Sequence, residues 1–244
     1  MSFLSFSQNT LGGMHGHLIV PDANTFKKNS LVIGFTQYPG KHLYINRADR
    51  NGRKNNEQYY FATINFLPWL DLTLNVARIV NVESQLNGIG DRSINVKMRL
   101  LKETEKLPSI ALALEVPGGN NNWFASNALI VTKTWNKLTL TGGYGLPYVL
   151  KRKITGAIGT KQYYGSIFDL KISGKLNQYL NGPLAAASYN FSFKKNWKLN
   201  PIIEFDGKKV NAGIKASWKW VNWYAYAPGL NSWSGGVSFH TMIK

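Results

Sequence analysis

The chain has no cysteine, which removes disulfide scaffolds, thiolate metal centres and cysteine nucleophiles together. Acidic residues are also scarce: 12 Asp plus Glu stand against 29 Lys plus Arg, for a formal net charge of +17 over 244 residues. That balance favours an anionic partner, whether nucleic acid, lipid headgroups or an acidic polymer. Charged residues of both signs make up only 17%, below the roughly 25% of an average soluble domain, so something other than a charged aqueous surface is being covered. No apolar run approaches the ~20 residues of a spanning helix, which excludes a helical membrane protein. The opening MSFLSFSQNTLGG lacks the basic region, apolar run and small-residue cleavage site of a secretory signal. The chain is therefore read either as cytosolic or as starting downstream of a signal already removed.

What the sequence does contain is a rhythm of two. Leu70, Leu72, Leu74 and Val76 alternate with Asp71, Thr73, Asn75 and Ala77, and Ile94, Val96, Met98 and Leu100 alternate with Ser93, Asn95, Lys97 and Arg99. Residues two apart share a face only in a strand. Similar stretches lie near 31–38, 58–66, 109–116, 124–133 and 138–146, and again near 184–194, 198–205, 209–219, 221–226 and 234–241. Short punctuation such as Phe66-Leu67-Pro68-Trp69, Lys194-Lys195-Asn196 and Asp206-Gly207-Lys208 marks hairpins. Only 147–183 breaks the rhythm, as a short helix, a loop excursion or weakly patterned strands.

About twelve strands in succession predict an all-β protein, either a soluble sandwich or a closed antiparallel transmembrane β-barrel. Three features favour the barrel. One face is too polar for a dry core, with Lys97, Arg99, Lys194, Lys215 and Lys219 beside Ser93, Asn95, Ser192, Asn211 and Ser217. The other is apolar through Tyr189, Phe191, Phe193, Val210, Ala212, Ile214, Ala216, Trp218 and Trp220. Aromatics also gather near strand ends, at Trp69, Trp123, Trp135, Trp197, Trp223, Tyr224 and Trp233, as expected of rings at a headgroup boundary. Residues 1–30 are read as an N-terminal segment entering the lumen and 31–244 as a single barrel. Arg78, Lys97, Arg99, Lys194, Lys215 and Lys219 are the candidate basic lumen.

Catalytic chemistry finds little support. Gly12-Gly13-Met14-His15-Gly16 lacks the lysine and Ser/Thr of a phosphate loop, and its glycines suit an N-terminal segment that turns tightly or enters a barrel lumen. His15 and His17 could share a strand face and meet a metal with Asp22, but two imidazoles make a weak site; no metal and no cofactor are expected. Asp71 and Glu115 lie on the expected lumen face, where pairing with lysine or arginine explains them without glycosidase chemistry. Ser109, Ser126 and His240 have no triad context. The chain is read as not an enzyme.

The segments Gly12 to Ala23 (GGMHGHLIVPDA), Phe66 to Thr73 (FLPWLDLT), Gly90 to Leu101 (GDRSINVKMRLL) and Leu107 to Leu114 (LPSIALAL) carry a likeness in order and spacing. Over residues 10–146 the chain resembles the outer-membrane family of YjbH-like exopolysaccharide proteins. That resemblance implies a Gram-negative outer-membrane barrel associated with export or assembly of extracellular polysaccharide, with Gly12, Gly13, His15 and His17 in a segment entering the lumen. The chain departs from the family in holding one barrel's worth of strands and in its basic early loop, NRADRNGRKNNE at 46–57. Outer-membrane lipid, an anionic polysaccharide and another envelope protein are the expected partners. Two alternatives stay open: a plugged docking subunit of an envelope complex, and a soluble basic β domain binding nucleic acid through lysines interleaved with Tyr59, Tyr60, Tyr163 and Tyr164.

Overall fold

The alternation in the sequence becomes two chemically different surfaces of one sheet. In the computed structural model, which describes residues 8–42, 56–80, 89–116, 127–146, 148–150, 168–170, 180–193 and 197–243, the strands run in chain order. They are β1 (Ser30–Tyr38), β2 (Asn56–Leu67), β3 (Leu70–Val80), β4 (Ile89–Leu101), β5 (Ser109–Val116), β6 (Ala128–Trp135) and β7 (Leu138–Gly145). A short pair, β8 (Tyr148–Leu150) and β9 (Phe168–Leu170), stands apart as its own sheet. The main sheet resumes with β10 (Gly182–Tyr189), β11 (Phe191–Ser192), β12 (Trp197–Phe205), β13 (Val210–Trp218), β14 (Val221–Ala227) and β15 (Ser234–Met242).

Every neighbouring pair is antiparallel, and the sheet closes on itself. Ser30 pairs with Met242 where β1 meets β15, and β10 pairs with both β7 and β12. β11 continues the line of β10 against β12, so the ring is a closed barrel of 12 strands. Closure removes the edge whose unpaired amides and carbonyls neither lipid nor a dry core could satisfy. The sandwich alternative therefore falls.

Strand residues on one parity are buried: Thr63, Asn65, Asp71, Thr73, Asn75, Ser93, Asn95, Lys97, Thr132, Thr141, Asn200, Lys215, Ser217, Asn222 and Ser238 face inward. Leu74, Leu129, Val131, Leu140, Ile203 and Ile214 on the other parity are exposed. An inside-out distribution of this kind fits a sheet whose outer solvent is hydrocarbon.

The two ends differ. At one, the strands are joined by tight turns, including Asn136-Lys137 and Lys219-Trp220, whose first residues have φ of 53°; a two-residue antiparallel turn needs that left-handed backbone. This short-turn end carries an aromatic girdle. Trp197 lies 6.0 Å from Trp218 and 6.1 Å from Trp223, Trp220 lies 5.5 Å from Phe239, and Tyr189, Phe191 and Phe193 follow one another. Trp69, Trp135 and Trp197 are exposed as expected of interfacial rings, whereas Tyr224 points inward and is buried. Trp123 lies outside the described residues.

The core is not made by the strands alone. Leu11, Met14, Leu18, Ile19, Val20 and Ala23, all ahead of β1, are buried in one cluster with Tyr38, Tyr59, Ile130, Ile202, Tyr224 and Tyr226 of the wall. At Asn29, with φ of 60°, the chain leaves the interior and turns into β1. Its N–H donates to the Asn65 carbonyl at 2.7 Å and its carbonyl accepts from Ile243 at 2.7 Å.

Candidate functional site: the filled lumen

Residues 8–29 form a compact knot. The Thr10 N–H donates to the Met14 carbonyl at 2.5 Å and the Leu11 N–H to Leu18 at 2.7 Å, while Gly16 pairs with Pro21. Gly13 makes this possible: its φ is +93°, and a Cβ there would lie 2.5 Å from the Phe61 ring. A left-handed backbone in contact with a wall aromatic leaves room for glycine alone. Gly12, by contrast, would meet only Thr10, at 3.9 Å.

A knot this short leaves most of its backbone polar groups without internal partners, and buried groups of that kind need them. The barrel wall supplies them. Glu204 of β12 accepts from three consecutive amides, Leu18 at 3.0 Å, Ile19 at 2.8 Å and Val20 at 3.1 Å. One strand over, the Lys215 Nζ donates to the carbonyls of Asn9 at 2.6 Å, Gly16 at 2.8 Å and His17. Thr36 donates to the Leu11 carbonyl at 2.9 Å and Thr63 to Gly13 at 2.8 Å. Ala23 donates to Thr132 at 2.9 Å and accepts from Ser109 at 3.0 Å. Asn9 donates to the Tyr224 hydroxyl at 2.9 Å and accepts from Ser238 at 2.8 Å. The segment is thus pinned from β1 to β7 and from β12 to β15, and it occupies the middle of the lumen.

A charged cluster fixes one side. Lys97 Nζ donates to the His15 carbonyl at 2.9 Å and lies 3.4 Å from Asp71 and 3.8 Å from Asp22. Asp22 in turn lies 2.7 Å from His15 Nδ1, and Asp71 accepts from the Phe26 amide at 3.1 Å. Burial pushes the Asp22 carboxyl up, but the charge and hydrogen bond of His15, joined by the charge of Lys97, hold it well below its ordinary value. His17 is different. Its Nε2 lies 2.8 Å from the Thr141 hydroxyl, and burial pushes its pKa down to about 4, with Lys215 adding and Asp22 opposing. His15 and His17 therefore serve separate partners and do not converge on a shared metal position.

The candidate basic lumen needs correction. Lys97 and Lys215 do face inward and are buried. Arg78 is exposed because it continues the outward parity of Leu72, Leu74 and Val76 on β3, while Asp71, Thr73, Asn75 and Ala77 face inward. Lys219 is the first residue of a tight turn and lies over the Trp218 ring, 4.8 Å from its centroid, outside the lumen. Arg99 reaches the turn instead, donating to the Pro68 carbonyl at 2.7 Å. Lys194 lies outside the described residues. Among the described residues the buried charges of the wall are Lys97 and Lys215 against Glu57, Asp71, Glu204 and Asp206. Acidic positions outnumber basic ones within this set, and the two lysines offset part of their charge.

Comparison with known proteins places this geometry. Residues 31–212 match the family model YjbH, described as "Exopolysaccharide biosynthesis protein YbjH". The "Uncharacterized lipoprotein YjbH" of Escherichia coli (strain K12) is 26% identical over 216 residues, covering 82% of this chain and 28% of that relative. The chain thus spans little more than a quarter of that relative's length. Among solved structures, a "KdgM porin" aligns with a TM-score of 0.47 at 9% identity, over 88% of this chain and 99% of the other. The "COG4313 outer membrane channel from Pseudomonas putida F1" aligns at 0.45 and 10%, over 93% and 100%.

Proposed function

The chain belongs to the YjbH family of exopolysaccharide biosynthesis proteins and is an outer-membrane β-barrel, and on that premise we propose that it is a gated, non-enzymatic component of extracellular polysaccharide export or assembly. Residues 1–30 act as the gate and 31–244 as its frame. The observation that carries this reading is the latch of Glu204 and Lys215 on the backbone of residues 9–20. A wall that donates to and accepts from main-chain groups holds a segment in one register, yet the same hydrogen bonds can be exchanged for water when the segment moves. Short turns and both ends of the barrel strand array face the periplasm in barrels of this type, so the girdle and the mouth beside Asn29 are assigned to that side.

The test is secretion. Deleting the gene is expected to reduce surface polysaccharide, and the wild-type chain is expected to restore it; undiminished polysaccharide in the deletion strain contradicts the reading. A docking subunit that never opens is the second reading, favoured by how completely the interior is pinned. It gains if complementation succeeds equally with the segment locked in place.

A further inference from the structure

The short-turn end carries a charge pattern that the lumen does not use. Its tight turns set lysines beside the rings of the girdle: Trp135-Asn136-Lys137 leads from β6 into β7, and Trp218-Lys219-Trp220 from β13 into β14. Lys102 and Lys106 lie between β4 and β5, flanked by the exposed Leu101 and Leu107, and Lys28 precedes Asn29 at the entry to β1. All five lysines are exposed. In the order of strands around the barrel these four connections are spread over the circumference rather than gathered on one side.

Two properties mark these lysines. The first is that the protein does not answer their charge. Among the described residues the side chains of Lys28, Lys102, Lys106 and Lys137 make no hydrogen bond or ion pair. At the opposite end, by contrast, Lys41 donates to the Asn231 carbonyl and Lys209 Nζ lies 2.8 Å from His42 Nδ1. The β4 to β5 turn also carries Glu103 and Glu105, but Glu103 accepts from the Thr134 amide at 2.8 Å and lies 3.6 Å from Lys133. Glu105 is left to face the five exposed lysines. The second property is depth. Interfacial rings mark where hydrocarbon gives way to headgroups, and each strand residue advances about 3.4 Å. Lys137 and Lys219 follow Trp135 and Trp218 within one or two residues, so their flexible stems span from the girdle to the phosphate level. Lys219 is held there by the Trp218 ring, 4.8 Å from its centroid.

We propose that Lys28, Lys102, Lys106, Lys137 and Lys219 form a belt for anionic phospholipid headgroups, whose phosphates they neutralise around the short-turn end. Their distribution selects this partner. A docked protein or a soluble phosphate is met by charges gathered at one place, whereas lysines spread over four connections match a headgroup layer that encircles the barrel. The inference is independent of the polysaccharide reading, because it uses the barrel, the girdle and the charges beside it. It gives part of the lysine excess a task outside the lumen and leaves Glu204 and Lys215 to the segment within.

The test is lipid association with the full chain in phosphatidylcholine bilayers, comparing spin-labelled phosphatidylglycerol with spin-labelled phosphatidylcholine of the same acyl chains. The anionic lipid is expected to be enriched at the protein by at least about twofold at low ionic strength, and the enrichment to vanish in about 1 M salt, where screening is nearly complete. The double variant Lys137→Gln with Lys219→Gln is expected to lose at least about half of the enrichment. Lys41→Gln with Lys208→Gln removes as much charge from the opposite end and leaves the enrichment unchanged. Retained heat-dependent mobility on gels shows that each variant is folded; where one is not, the salt dependence of the wild type decides. Equal association of the two lipids, enrichment that survives high salt, or an equal loss in the Lys41 and Lys208 variant overturns the proposal. Displacement of the labelled phosphatidylglycerol by inorganic phosphate, at an ionic strength where chloride displaces none, overturns the lipid assignment and makes the lysines a free-phosphate site.

Discussion

Two sets of buried polar side chains on the same lumen wall are built from the same residue types and behave differently. Glu204, Lys215, Thr36, Thr63 and Thr132 each have a backbone partner in residues 9–23. Asn190, Asn200, Asn222 and His240, like Asn65, Asn75 and Asn95 across the barrel, keep a buried atom without a hydrogen-bond partner among the described residues. The contrast teaches that burial of polar side chains is not a single phenomenon. Where the partner is the protein's own main chain, the polar wall is a lock; where none is built in, the wall is polar without holding the segment.

The largest expected effect comes from breaking the lock. Glu204→Leu strands the amides of Leu18, Ile19 and Val20, and at about 1–3 kcal/mol for each buried donor left unpaired the N-terminal segment should leave the lumen. Limited proteolysis then cuts within residues 8–29 of the variant and spares the wild type, while heat-dependent mobility of the barrel persists.

Acid attacks the same layer through His17. Its buried pKa of about 4 lies below the ordinary 6.5, so the released segment binds more protons than the docked one between those values. Docking is therefore fully stable above about 6.5 and weakens as pH falls to about 4, by about 3 kcal/mol in all. Asp22 acts in the same direction at lower pH, because its depressed carboxyl favours docking above its ordinary range and withdraws that support as it protonates. Protease sensitivity measured against pH should rise on acidification, and His17→Gln should flatten the upper part of the curve.

Gly13→Ala comes next. A Cβ 2.5 Å from the Phe61 ring on a backbone of φ +93° should loosen the knot by about 1–2 kcal/mol, seen as cleavage at lower protease concentration. Smallest of all, Arg78→Gln and Lys219→Gln, both outside the lumen, should change neither docking nor barrel stability by more than about 0.5 kcal/mol.

Much of this frame was legible beforehand, and for a physical reason. Period-two patterning reports directly which side chains share a face, so Lys97, Lys215 and Asp71 were placed inside, and β5, at Ser109–Val116, matches its expected span. The pattern fails where a turn interrupts it. Lys219 begins a turn, and parity carried into it from Lys215 and Ser217 assigns the wrong surface, whereas Arg78 keeps the outward parity of Leu72, Leu74 and Val76 and its place follows from β3 alone. Tyr224 was misread for another reason: aromatics near strand ends suit either surface, and this one was claimed by Asn9. Least legible were Glu204 and the asparagines. A carboxylate that accepts three amides of a segment 184 to 186 residues away leaves no local trace, and the excess of acidic over basic positions among the buried wall charges is hidden beneath a net charge of +17. The basic loop 46–57 lies mostly outside the described residues.

The central claim, that the N-terminal segment occupies the lumen, is tested most directly by thiol accessibility, which the absence of native cysteine makes clean. Val20→Cys replaces a side chain with 0% exposure and Trp233→Cys one with 80%. In the full chain, folded in outer-membrane vesicles at neutral pH, a membrane-impermeant maleimide should label position 233 readily and leave position 20 unlabelled until urea unfolds the protein. Labelling of position 20 in the folded barrel as fast as in the unfolded chain would contradict the account.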